Sequence, residues 1–420
     1  MKTWRFSALD SLFFREARPF DSIGGSELST VFPPSPVTVA GAIRSAIGNH
    51  QNINWANYAG SELEKQLGGS DSLGSMRIKG VFLSRNLDLS GFKNPKGLNA
   101  NDKWQRLYPV PAHLVATQEK GKLKQLHFLQ VGKPVHCDLG KAVQLAVSSE
   151  QGIKPLENYW LTQAGFEKVL KGEFPKINQE HPENNELISA FDLFTKETHL
   201  GIGRNNQTRS AEQGLLYQTQ HIRPKKALAI EVDIDCLESI NYPTSGIVRL
   251  GGEGRGAAFD VFDKVGWAEA RSPSLTNSAR RIKLILLSAL FVPQPAKEDC
   301  SMTASPLKDW QSCYTPLPNF KQHEEQDNTV WKGQINGIAL TLHCAIIGKT
   351  VREGGWDLQK REPKPVRSLI PAGSVFYCTL ENSGDIGQQF DQQDDLDKAL
   401  GRGLFAVCPW SANDSKGNTK

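Results

Sequence analysis

No Cys-x-x-Cys pair occurs in this sequence, whose seven cysteines are scattered from Cys137 to Cys408 and odd in number. That excludes a zinc ribbon and a disulfide framework, and fits a reducing compartment. No apolar run approaches the roughly 20 residues of a membrane helix. The opening MKTWRFSALD lacks the apolar core of a secretory signal. A cytoplasmic chain with no membrane contact is therefore expected. Charge of either sign is barely in excess, with 49 Lys and Arg against 45 Asp and Glu, a net of +4. Any nucleic-acid site must come from local clustering of cations. The nine histidines include no HxxxH pair, so no metal is expected, nor any other cofactor. Hydrophobic residues reach only 39% and the mean hydropathy is −0.41, so much of the chain must be polar loop. At 420 residues it is still long enough for two domains.

What is present is organised around Leu12–Gly48. A strand over Trp4–Phe14 is expected to end at Arg15 and Arg18, followed by a Gly/Ser-rich loop, Pro33-Pro34 and a helix. Ser35 suits the N-cap and Pro36 the first helical position, where a missing N–H costs nothing. Val39, Ala42, Ile43, Ala46 and Ile47 recur at helical spacing, and Gly48 can close the helix. Ala40 and Gly41 have little bulk and would let helix and sheet approach closely.

The first half then alternates strands with polar insertions. Residues 51–75 read as a surface helix and 78–86 as a strand. Residues 107–116 carry two prolines and suit a sheet edge, with 123–131 as the partner of a hairpin. Residues 158–172 have helical periodicity, and 175–186 form a polar loop. A long hairpin is expected over 199–224, with arms 199–204 and 214–222 and a polar tip, NNQTRSAEQ. Arg204, Arg209 and Arg223 punctuate it, while His199 and His221 can meet across it as a structural pair rather than a metal site.

After the strand 227–235 comes IVRLGGEGRGAAFDVFDK, a strand running into Gly251, Gly252, Gly254 and Gly256 with Arg255 among them. Bare glycine backbone lets N–H groups reach phosphate oxygens, and an arginine can complete an anion site. No Gly-Lys-Ser/Thr ending follows, so this is not a nucleotide P-loop. Asp260 and Asp263 beyond it are a thin basis for a metal site. Two buried strands, 281–293 and 337–348, lead to a glycine turn, Trp356-Asp357 and a basic loop holding Lys360, Arg361, Lys364 and Arg367. Trp356 and Asp357 are expected to anchor that loop by packing and capping. A strand opened by Pro-Ala-Gly, a short helix at 394–400, a strand at 404–410 and a disordered tail complete the chain. A boundary near 275 is expected, dividing 1–275, which holds the hairpin, from 276–420, a shorter copy.

Four of these segments carry a resemblance. SLFFREARPF followed by FPPSPVTVAGAIR is similar to the N-terminus of the third-subunit family of the Cmr complex, the type III-B CRISPR effector. That family also shows a GI-x-R-x-x-x-T-x-x-A-x-x-G-x-LY segment, matched by Gly201 to Tyr217. It shows a GGEGR element, matched by Gly251 to Arg255, and GWD…PKP-x-R…PAGSV-x-Y, matched by Gly355 to Tyr377.

The resemblance implies an α+β protein of the RAMP superfamily. It would hold two ferredoxin-like (RRM-like) domains with Gly-rich loops, a projecting β-hairpin and long loop insertions. It implies a subunit that is not an enzyme and carries no catalytic residue. Such a subunit binds and caps the 5′ repeat-derived tag of the crRNA, docks on the large polymerase-like (Palm) subunit and on backbone RAMP subunits, and meets target RNA only indirectly. Carried onto this sequence, the RNA-binding candidates are Arg204, Arg209 and Tyr217 of the hairpin, and Gly251, Gly252, Gly254 and Arg255 of the glycine loop. Arg15 and Arg18 after the first strand, and Lys364 and Arg367 of the basic loop, are further candidates. Each phosphate neutralised on a single strand contributes about −0.7 to the salt slope. One ring such as Phe14 or Tyr217 stacking on a base contributes roughly 1–3 kcal/mol. Two other readings stand beside it: a crRNA-processing endoribonuclease of the same superfamily using His50 as acid/base, and a scaffold that touches only protein.

Overall fold

The computed structural model describes residues 1–17, 27–87, 103–119, 122–137, 142–178, 184–205, 207–237, 239–263, 280–293, 315–325, 328–357, 360–382, 384–391 and 393–410. Arg18, the expected boundary near 275 and the tail after Trp410 lie outside them.

The first helix, Pro36–His50, starts as its sequence dictates: the Ser35 hydroxyl accepts the N–H of Val37 and Pro36 opens the first turn. Val39, Ile43 and Ile47 are fully buried, each contributing about 1.5–3 kcal/mol relative to exposure. Gly48 does not close the helix, which runs on to His50. Its bareness serves another end, because a Cβ there would sit 2.5 Å from the Trp55 indole.

This helix packs on an eight-stranded sheet. The four central strands, Arg77–Asn86, Leu228–Asp235, Lys2–Ala8 and Gly256–Asp263, pair antiparallel throughout. Counted along the chain they lie in the order 2-3-1-4, and the helix connects the first to the second. A second eight-stranded sheet centres on Phe405–Pro409, Arg281–Leu286, Val375–Leu380 and Ile338–Ile346, again antiparallel and in the order 4-1-3-2. The same order thus occurs twice in a mixed fold made mostly of strands with few helices.

Several expected elements divide. Regular pairing of the first strand stops at Ala8, and Leu12 instead bridges Ile222 of the hairpin. The 51–75 segment is a short turn at Trp55–Asn57 and a helix at Glu62–Leu67, because Gly60 and Gly68 take left-handed φ values of 80° and 73°. Residues 107–116 are no edge strand. Trp104–Pro109 lies inside the first sheet, with Pro109 at its end, and Leu114–Glu119 belongs to a separate three-stranded sheet. The 158–172 segment is a strand, Tyr159–Thr162, whose last residue caps a helix, Gln163–Leu170. The hairpin is longer than expected, with arms Phe194–Arg204 and Ala211–Pro224.

The two sheets exchange material. Ala399, the last residue of the second sheet's short helix Asp395–Ala399, and Leu400 just after it are buried in the first core. Phe166 and Val169 of helix Gln163–Leu170 are buried with Ile285, Tyr377 and Ala406 of the second sheet. Strand Ala142–Val147 joins that sheet beside Asn328, carrying Gln130–His136 with it. Chain that precedes residue 275 therefore completes the second sheet. No helix among the described residues is long and apolar enough to cross a membrane.

Candidate nucleic-acid interface

Residues far apart in sequence converge on one groove of about 1170 Å³. One wall is the stretch Phe14–Ala17, held beside residues 27–31 by the bonds Glu16 N–H to Ser29 O (2.9 Å) and Val31 N–H to Phe14 O (2.9 Å). The helix contributes Thr38, Gly41, Ala42 and Ser45. A Cβ on Gly41 would meet nothing within 4 Å, so its small size opens the groove rather than letting helix and sheet meet. Gly251 and Gly252 form a second wall, and Val351–Trp356 with Pro363–Val366 form the third. Arg15, Arg249 and Arg352 reach it from three separate segments, and all are exposed.

The glycine loop is fixed by the first strand's continuation. Gly251 has φ 88° and would place a Cβ 2.4 Å from the carbonyl oxygen of Phe13. The Gly252 N–H donates to that same carbonyl at 2.8 Å. Close approach to Phe13 therefore explains these two glycines, and one of the N–H groups expected to face an anion is already taken up. Gly254 (φ 66°) has open space around it and is exposed outside the groove lining.

The floor is ionic. Glu353 accepts the Ser35 hydroxyl at the start of the helix and pairs with Arg402, whose Nε lies 2.9 Å from Asp397. Asp397 also holds Arg367, whose guanidinium lies 3.8 Å from the Phe291 ring centroid. Burial pushes the Asp397 carboxyl up, against the pull of both arginines. Arg367 is thus part of the framework and does not line the groove. Lys364 lines it while its Nζ donates to Ser70 O at 2.8 Å.

The hairpin candidates lie elsewhere. Arg204 and Arg209 are exposed towards its tip and Tyr217 is half-buried over Gly201, none of them in the groove lining. At its base, His199 and His221 do meet, their rings stacked at 4.1 Å. Glu197 accepts a hydrogen bond from His199 Nε2 at 2.9 Å and pairs with Arg223 at 2.5 Å. Arg223 in turn holds Asp10 at 2.6 Å, and Asp10 holds Arg255 at 3.1 Å. Arg255 is a tether between glycine loop and hairpin. Hydrogen bonds from Arg223 hold the Glu197 carboxyl down to about 2. Burial, then His199 and Arg255, push His221 down to about 4.

An open sheet face, the usual surface for single strands in RRM-like folds, is not offered by the first sheet. Thr3, Arg5, Glu231 and Asp233 are buried there. Arg106 joins Glu231 at 3.0 Å and Asp233 at 2.6 Å, and Arg5 lies 4.4 Å from the rings of Trp104 and Phe262. Sequence reading missed Arg249, Arg352, Glu353 and Arg402; nearness in sequence to the Gly251 and Trp356 motifs hinted at the first three, and no motif pointed to Arg402. His50 is exposed at the end of the helix and does not line the groove. Among the described residues no group of three His, Cys, Asp or Glu is placed to hold a metal.

Comparison with known proteins places these motifs in one family. Residues 4–410 match the family described as CRISPR-associated protein (Cas_Cmr3). No curated protein matches. Distant likeness extends to solved structures. A chain of type III-B Cmr-beta bound to cognate target RNA and AMPPnP is 16% identical, with 90% of this chain and 86% of that one covered and a TM-score of 0.43. Another, of Cmr-beta bound to cognate target RNA, is also 16% identical over the same shares, at 0.42. A chain of a Csm3-Csm4 subcomplex from a type III-A interference complex is 13% identical, over 98% of this chain and all of that one, at 0.40. With the family matched across nearly the whole length, the chain belongs to the Cas_Cmr3 family of CRISPR-associated proteins.

Proposed function

We propose that this subunit grips the 5′ repeat-derived tag of the crRNA in the groove without cutting it, and docks on the large polymerase-like subunit and on backbone RAMP subunits. The observation that carries the reading is the convergence of three of the four family motifs, Phe14–Arg15 with the Ser35 helix start, Gly251–Gly252 and Gly354–Val366, on one cleft with exposed arginines. Cations on a rim around apolar and aromatic surface suit a single strand, whose phosphates and base faces are both accessible. At about 1170 Å³ the cleft exceeds the roughly 300–1,000 Å³ of small-molecule sites. The hairpin tip with Arg204 and Arg209 would contact RNA separately. In the same reading the two sheets are two ferredoxin-like domains divided near residue 275, as their repeated strand order supports, with the exchanged segments as insertions.

The test is crRNA binding by the full chain over a salt series. Arg15→Ala, Arg249→Ala and Arg352→Ala should each weaken binding and reduce the salt slope by about 0.7. Unchanged affinity and slope in all three would place the RNA elsewhere. Cleavage of a labelled repeat RNA, abolished by His50→Ala, would favour the endoribonuclease reading instead.

A further inference from the structure

We propose that the Trp356 indole is the stacking platform for one unpaired nucleobase in this groove, an inference that rests on the RNA-binding reading above. Anchoring and exposure are divided between two neighbours. Asp357 is 4% exposed and accepts the Lys360 N–H at 3.0 Å, so it caps the turn. Trp356 is its neighbour in the two-residue ladder opposite Glu362–Pro363, and alternation along a strand sends its side chain to the other face. It lines the groove and is 51% exposed.

The ring is presented on a clamped support. The Lys364 N–H closes the small hairpin on Gly355 O at 2.9 Å. Lys364 Nζ donates to Ser70 O at 2.8 Å, and Lys360 Nζ pairs with Asp71 at 3.1 Å. Two lysines thus fasten the hairpin to the turn around residue 70. Before the ring, Gly355 takes φ 134° and a Cβ there would meet nothing within 4 Å. That conformation needs glycine, and the space beside the Gly355 Cα is open. A preorganised aromatic face next to open backbone, in a cleft with Arg15, Arg249 and Arg352, fits a base whose phosphates those cations neutralise. An apolar peptide would bring no anionic group to the arginines, and a duplex would keep its base faces covered.

The experiment measures a synthetic crRNA binding to the full-length chain, with tag nucleotides made abasic one at a time. Trp356→Ala should weaken binding about 5- to 150-fold, the range expected for one lost stack, while Trp356→Phe stays within about threefold of wild type. One abasic position should cost as much by itself and add nothing to Trp356→Ala. The salt slope should not change, because no charge is removed. Unchanged affinity in Trp356→Ala, or losses that add at every abasic position, would overturn the proposal. If the arginine variants lower the salt slope while Trp356→Ala is silent, only the stacking inference fails. If they are silent too, the RNA-binding reading fails with it.

Discussion

The ring of Tyr217 lies directly over Gly201, its partner across the hairpin. A Cβ on Gly201 would fall 2.2 Å from the ring's Cζ, so the aromatic occupies the space a side chain would take. The glycine and the tyrosine that bound one family motif are a single packing unit.

Gly201→Ala should therefore move the ring more than it harms the fold. The clashing atoms are the far end of a side chain that can swing, so stability should fall by less than about 1 kcal/mol. Photo-crosslinking from position 217 to crRNA in the assembled complex should weaken. A loss of several kcal/mol by denaturant unfolding would instead make Tyr217 part of the core.

The glycine loop should respond in the opposite sense. Gly251→Ala meets the Phe13 carbonyl, which cannot swing, and also a left-handed backbone, for about 2–4 kcal/mol. Gly254→Ala meets open space and should cost only the backbone term, about 1–2 kcal/mol, with Gly254→Asn milder still. Equal losses for the two alanine variants would contradict the role given to Phe13.

Acid should loosen the hairpin base. His221 falls from 6.5 to about 4 in the folded chain, so between those values the unfolded chain binds a proton that the native one refuses. Its stabilising contribution is complete above pH 6.5 and is lost as pH falls through that window. Glu197, lowered from 4.5 to about 2, adds a loss of the same sign below pH 4.5. Unfolding midpoints measured from pH 7 to 4 should decline, and His221→Gln should flatten the upper part of the curve. A midpoint that rises on acidification would refute the assignment.

Arg402 should matter to the whole fold. It is 1% exposed and joins Glu353 beside the first helix to Asp397 of the short C-terminal helix. Arg402→Met leaves the buried Asp397 with Arg367 alone and the half-buried Glu353 with only the Ser35 hydroxyl, and should cost about 3–5 kcal/mol in denaturant unfolding. Lys2→Ala, at an ion pair whose Asp263 side chain is 87% exposed, should leave the midpoint unchanged.

Local chemistry made much of this legible from the chain alone. Ser35 and Pro36 started the first helix, the turn-rich 205–210 segment made the hairpin, and the glycines around Arg255 made a tight loop, because each depends on neighbours within a few residues. The four motifs likewise identified the family without any coordinates. Other features depended on partners hundreds of residues away. Arg255 and Arg367 read as free cations until Asp10 and Asp397 were found to hold them. Arg249 and Arg352 had no motif of their own, yet fold into one cleft with Arg15. Helical or extended periodicity records which face of an element is buried, but not which other element covers it. Only the tertiary structure, by bringing two sheets together with exchanged segments, decided which arginines are framework and which face the groove.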